Sequence, residues 1–204
     1  MGNKIRQKFK VIDNHVHIAA PGDTYPEDFY WSSTFQNSIG FKALKALKWW
    51  PCTPITDKLM LNLLQKQVNN AERVDYSVVY AFDEVYDLDG AKQKEKTNLY
   101  VSNEFVKNLS LKHPKVLFGL SIHPFRDDAK KQLKKYQEDA VLCKWIASSQ
   151  MIDMDFTKTK VKKKLEGFFK KLIEYKLPLL YHSGVESSIP AYDPSYQVFN
   201  DPLY

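Results

Sequence analysis

Residues 161–182 read VKKKLEGFFKKLIEYKLPLLYH, and this stretch decides the class of fold. From 161 to 175 the apolar residues recur at helical period, and Pro178 ends that segment. Residues 179–182 then form a short, continuous apolar run that closes on a histidine. A helix that leads straight into a wholly apolar strand is the repeating step of a parallel sheet covered by helices. The same step recurs upstream. Strands are expected at 9–18, 74–82, 116–122 and 140–146, with 179–182 as the fifth. Helical periods lie between them: Leu59, Leu63, Leu64 and Val68 mark one, and 98–111 and 129–137 mark two more. The fold expected is α/β, one domain over residues 1–204.

The stretch 20–57 breaks the alternation. It carries Pro21, Pro26, Pro51 and Pro54 among Phe29, Tyr30, Trp31, Phe35, Phe41, Trp49 and Trp50. An aromatic insertion directly after the first strand belongs at that strand's C-terminal end, where β/α architectures bind ligands. It reads equally as a hydrophobic cap on the sheet and as a substrate lid.

Composition narrows the function classes. The 204 residues are 44% hydrophobic and 14% aromatic, too rich in core formers for a disordered chain. No apolar stretch has the length of a membrane span, and no signal-peptide core follows the N-terminus. A cytoplasmic protein is expected. The net charge is +6, yet Arg6, Arg73 and Arg126 are the only arginines. Lys130, Lys131, Lys134, Lys135 and Lys162 to Lys164 stand at helical spacings, which favours solvated helix faces over a nucleic-acid surface. Cys52 and Cys143 form neither a disulfide framework nor a zinc ribbon, and free thiols in a reducing compartment are expected.

Chemistry gathers at strand ends. Asp13-Asn14-His15-Val16-His17 closes the first strand, and residues i and i+2 share a face. His15 and His17 therefore present two imidazoles to one side, with Asp13 placed to orient one of them. Leu179-Leu180-Tyr181-His182-Ser183-Gly184 ends the fifth strand in another histidine, so parallel strands bring a third imidazole to the same edge. Lys144 interrupts an apolar strand, where burying its charge is costly without an anion, a metal or a substrate. An edge lysine whose stem reaches solvent is the alternative. His123-Pro124 closes the third strand. Glu186 reads either as a proton-transfer group or as a loop carboxylate.

Three segments, Ile12 to His17, Cys143-Lys144-Trp145 with Ser148 to Asp153, and Leu177 to Gly184, resemble the amidohydrolase superfamily, most closely its amidohydrolase-2 branch of metal-dependent hydrolases and decarboxylases. The resemblance implies a TIM-type β/α barrel with a metal at the C-terminal ends of the strands. It implies His15, His17 and His182 as ligands of one or two divalent ions, zinc being expected, and a small-molecule substrate. Lys144 falls where some members carry a carboxylated lysine bridging two metals and others a plain lysine. His123, Trp145, Glu186 and Trp31 are the expected substrate-contacting residues. The family barrel has eight strands, whereas five β/α units are counted here, so the reading is a partial barrel. The late aspartate that serves the family as ligand or proton shuttle has no counterpart, which leaves the catalytic base unassigned. The expected activity is hydrolysis of an amide, lactone or ester-like bond. The alternatives are non-oxidative decarboxylation, a TatD-like nuclease suggested by Phe118 to Pro124, and a non-catalytic remnant. Neither a nucleic-acid nor a membrane partner is expected, and open apolar strand edges leave homo-oligomerisation open.

Overall fold

The computed structural model describes residues 10–47 and 54–201; Trp49, Trp50 and Cys52 lie outside them. Five parallel strands form the main sheet: β1 (Ile12–His17), β3 (Tyr76–Tyr80), β5 (Val116–Leu120), β6 (Ala140–Trp145) and β7 (Leu179–Tyr181). Each pairs with its successor, in the order β1-β3-β5-β6-β7, and the sheet curls into a half-barrel. Parallel neighbours need a crossover, and helices supply it: α3 (Asp57–Asn70), α4 (Asn103–Lys112), α5 (Ala129–Tyr136) and α6 (Thr159–Glu174). Every strand predicted from the sequence is present, each somewhat shorter than expected.

The two faces of the sheet have different chemistry. On the convex face Phe118 packs edge-on to Tyr136 of α5, and Trp145 packs on Phe168 and Phe169 of α6, with centroids 5.0 and 5.8 Å away. Leu120, Cys143 and Trp145 are fully buried there. The free Cys143 thiol is pushed up to about 12 by burial, which leaves it inert. On the concave face the register joins His17 to Tyr80, Tyr80 to Gly119, and Gly119 to Leu142. Two residues further along β6 stands Lys144, which pairs with Leu180. Gly119 is required there, because a Cβ would stand 2.2 Å from the Tyr80 ring. Leu117, Leu142 and Leu180 are only half-buried, since no opposite wall covers them.

The insertion has structure that the sequence did not reveal. Within it, β2 (Phe29–Trp31) pairs antiparallel with β4 (Leu99–Val101), which belongs to the connection after β3. The short helices α1 (Ser33–Asn37) and α2 (Ile39–Leu47) follow β2, and Trp31, Phe35 and Phe41 pack together at centroid separations of 5.1 to 5.7 Å. The buried Asp57 carboxylate accepts from the backbone N–H groups of Gly22, Thr24 and Tyr25 at 2.8 to 2.9 Å. These bonds tie the start of the insertion to the start of α3. The 98–111 segment predicted as one helix divides accordingly, with Leu99–Val101 taken by β4 and the helix starting at Asn103, capped by Ser102.

Candidate active site

The concave face at the C-terminal ends of β1, β6 and β7 gathers His15, His17, Lys144, His182 and Glu186. The His15 and His17 rings lie 5.0 Å apart, and each packs against Tyr80, at 6.2 and 5.4 Å. Tyr80 is fully buried, donates its hydroxyl to the Asn14 carbonyl and is pushed up to about 12 by burial. It is a fixed platform for the two imidazoles, and sequence reasoning missed it. Aligning residue 80 of the second strand with residue 17 of the first would have found it.

All three imidazoles are held below the ordinary histidine range, with burial the largest cause. Lys144 pushes each further in that direction, and Glu186 opposes it. His17 falls furthest, to about 4, because of the protein mass around its ring, even though part of its side chain reaches the open mouth. At neutral pH these are neutral imidazoles, the form that donates a lone pair to a metal. His182 Nε2 is buried without a hydrogen-bond partner, and Glu186 Oε2 stands 3.6 Å from it, beyond hydrogen-bond length. The other Glu186 oxygen accepts from the backbone N–H groups of Ser188 and Ile189 at 2.6 and 2.9 Å and from the Ser188 hydroxyl. Those bonds hold its carboxyl below the usual range against burial. Lys144 is 2% exposed, its ammonium makes no hydrogen bond among the described residues, and it is lowered by desolvation.

This donor set suits a borderline metal ion in kind: neutral imidazole nitrogens, one of them orphaned, beside a carboxylate. Its spacing is open, and among the described residues no three histidine, cysteine, aspartate or glutamate side chains close on a common point. Asp13 lies beside His15 electrostatically and accepts from the His15 backbone N–H at 3.1 Å.

The remaining expected site residues face elsewhere. His123 is fully buried, with Nε2 on the Gln150 carbonyl at 2.9 Å and Nδ1 accepting from the Phe125 N–H at 3.2 Å. Burial lowers it to about 3, so it is a neutral core histidine. Trp145 donates its indole N–H to the Ile122 carbonyl at 2.8 Å on the convex side of the sheet. Trp31 is 7% exposed inside the aromatic cluster, with its indole nitrogen buried and unpartnered. The Ser148–Asp153 segment builds a buried polar layer around these groups. Gln150 donates to the Ser121 hydroxyl at 3.2 Å, and that hydroxyl donates to the Lys144 carbonyl at 3.0 Å, fixing the Lys144 backbone. Asp83, unremarked in the sequence, is buried beneath this layer. It accepts from the His123 N–H at 2.7 Å and from Arg126 at 2.9 and 3.1 Å.

No family model, no curated protein and no solved structure matches the chain. Among the described residues no helix is long and apolar enough to cross a membrane.

Proposed function

We propose that this chain carries the metal-holding half of a hydrolase site for a small amide, lactone or ester-like bond. The observation that supports the reading is the meeting of three neutral imidazoles and a desolvated lysine at one mouth, with His182 Nε2 buried and unpartnered. In this reading His15, His17 and His182 hold the ion, zinc by preference for imidazole nitrogen. When bound, such an ion lowers the pKa of water toward 7 and polarises a carbonyl oxygen. The chain's own groups do the rest. Tyr80 fixes the faces of His15 and His17, and Glu186 holds a negative charge beside His182. The Lys144 ammonium, lacking an internal partner, takes a substrate oxygen or carboxylate. The amidohydrolase resemblance supports the same assignment of His15, His17 and His182. Full burial of His123 gives the nuclease alternative no support, because that motif's histidine has no open face.

Metal analysis after dialysis against zinc tests the reading. We expect retention of about one or two equivalents, reduced by roughly tenfold or more in affinity for His15→Ala and His182→Ala. Retention of no zinc by the unsubstituted protein, or retention by either variant equal to it, would overturn the reading.

A further inference from the structure

We propose that the cleft between α5 and α6 is a binding site for a small phosphomonoester. The cleft lies on the helix-covered side of the sheet, so the proposal stands independently of the metal reading. It encloses about 420 Å³, the size of a site for a small organic ligand rather than a bare ion. The edges of the buried Pro124, Ala129 and Phe168, with Gly167, contribute a small apolar floor, while Arg126, Lys130, Lys160, Lys163 and Lys164 bring five cations against the single carboxylate of Asp127, which stands 3.9 Å from Lys164.

These cations are not equivalent. Arg126 is neutralised on both sides, by Asp83 and by Asp128, and is part of the frame. Lys164 donates to the Phe125 carbonyl at 2.7 Å, which fixes its ammonium in the wall. Lys160 pairs with the exposed Asp89, a contact that water and salt weaken. Lys130 and Lys163 have no partner among the described residues. Lys130 lies across Gly167, its terminal atoms 3.6 Å from where a Cβ would sit, so the missing side chain lets it lean over the cleft.

Helix stability does not explain this arrangement. Asp128 at the N-cap of α5 makes no capping hydrogen bond and is paired with Arg126, no acidic residue occupies the first turn of either helix, and lysines there oppose the helix dipole. A dianion between the two helices would answer both the dipoles and the lysines. Lysine is a compact charge with several donors that binds phosphate as a point charge, and its attraction grows with the two charges of a phosphomonoester. The apolar surface calls for an organic group on the phosphate.

The test is calorimetric titration of the full chain with phenyl phosphate, inorganic phosphate and benzenesulfonate. Phenyl phosphate should bind at one site, more tightly than inorganic phosphate, with benzenesulfonate weakest. Affinity should fall as pH drops below about 6, where the phosphate loses its second charge. The double substitution Lys130→Gln and Lys163→Gln should weaken phenyl phosphate by about tenfold or more, since each removes a charged hydrogen bond. Lys131→Gln with Lys134→Gln, which removes equal charge outside the cleft, should leave it unchanged; circular dichroism checks that both variants stay folded. Absence of saturable binding at roughly millimolar phenyl phosphate overturns the proposal. So does equal weakening by the two double variants, which would mean diffuse attraction. Tighter binding of a short DNA duplex, lost in both variants, would also overturn it and mark a nucleic-acid surface instead.

Discussion

Replacing Lys144 by methionine should make the protein more stable. Lys144 is 2% exposed, its ammonium makes no hydrogen bond among the described residues, and burial holds that ammonium below the ordinary lysine range. A polar group buried without a partner costs roughly 1–3 kcal/mol in proteins, and the lower end applies here because Lys144 Nζ is not among the fully buried unpartnered atoms. Methionine keeps the unbranched stem and most of its packing while removing the charge. Glu186 loses a favourable neighbour, but its hydrogen bonds to Ser188 and Ile189 remain. A net gain of up to about 1 kcal/mol is expected, or about 2–4 °C in Tm at this chain length. Urea denaturation at several pH values checks it and carries an internal signature. Because the native ammonium titrates below the unfolded value of 10.5, the unfolded chain holds more protons between the two. Wild-type stability therefore rises with pH through that window, and the advantage of Lys144→Met should shrink as pH approaches 10.5. A destabilised variant, or a gap constant from pH 7 to 10.5, would refute the reasoning.

Gly119→Ala should cost roughly 1–3 kcal/mol by forcing Tyr80 off its platform, and two-dimensional NMR should show the His15 and His17 side-chain resonances moving with it. Asp57→Ala strands three backbone donors and should cost about 3 kcal/mol, with protease cleavage appearing first near residues 22–25; unchanged proteolysis would count against the anchoring role. His123 titrates from 6.5 unfolded to about 3 native, so it contributes stability at neutral pH that is lost as pH falls through this range. The stability of wild type relative to His123→Asn should therefore fall by about 1.4 kcal/mol per pH unit below 6.5. A difference independent of pH between 6 and 4 would show that His123 can be protonated where it sits.

The five strands and the helices between them were legible because both periods are strong. Residues 179–182 are wholly apolar and too short for a helix, and 161–175 has a helical stripe. The placement of His15 and His17 on one face follows from alternation, and Lys144 joins that face through the register across β3, β5 and β6. The same alternation excludes Trp145 from that face, since it is adjacent to Lys144, and the expectation that it contacts substrate ignored this parity. His123 misled for another reason: a histidine after a strand looks like a ligand until its two nitrogens are traced to Gln150 and Phe125, contacts that depend on the fold of the 146–153 turn. The β2–β4 pair was illegible because three-residue strands carry no period and their partners lie 68 to 72 residues apart. Asp83 and Tyr80 likewise acquire meaning only from neighbouring strands.

The β2–β4 pair also makes the two sides of the sheet's C-terminal end unequal in rigidity. It stitches the connection after β1 to the connection after β3, with Asp57 fastening the first and the buried Ser32 hydroxyl joining the second through Asn98. That side of the mouth behaves as masonry: its backbone amides are spent on one another, and opening it would break a sheet. Across the mouth, beyond β7, Ser183, Gly184 and Val185 are exposed, and Gly184 turns at a φ of 97° with no atom near the space its side chain would fill. Slow amide exchange at residues 29–31 and 99–101 beside fast exchange at 183–185 would be the record of that difference.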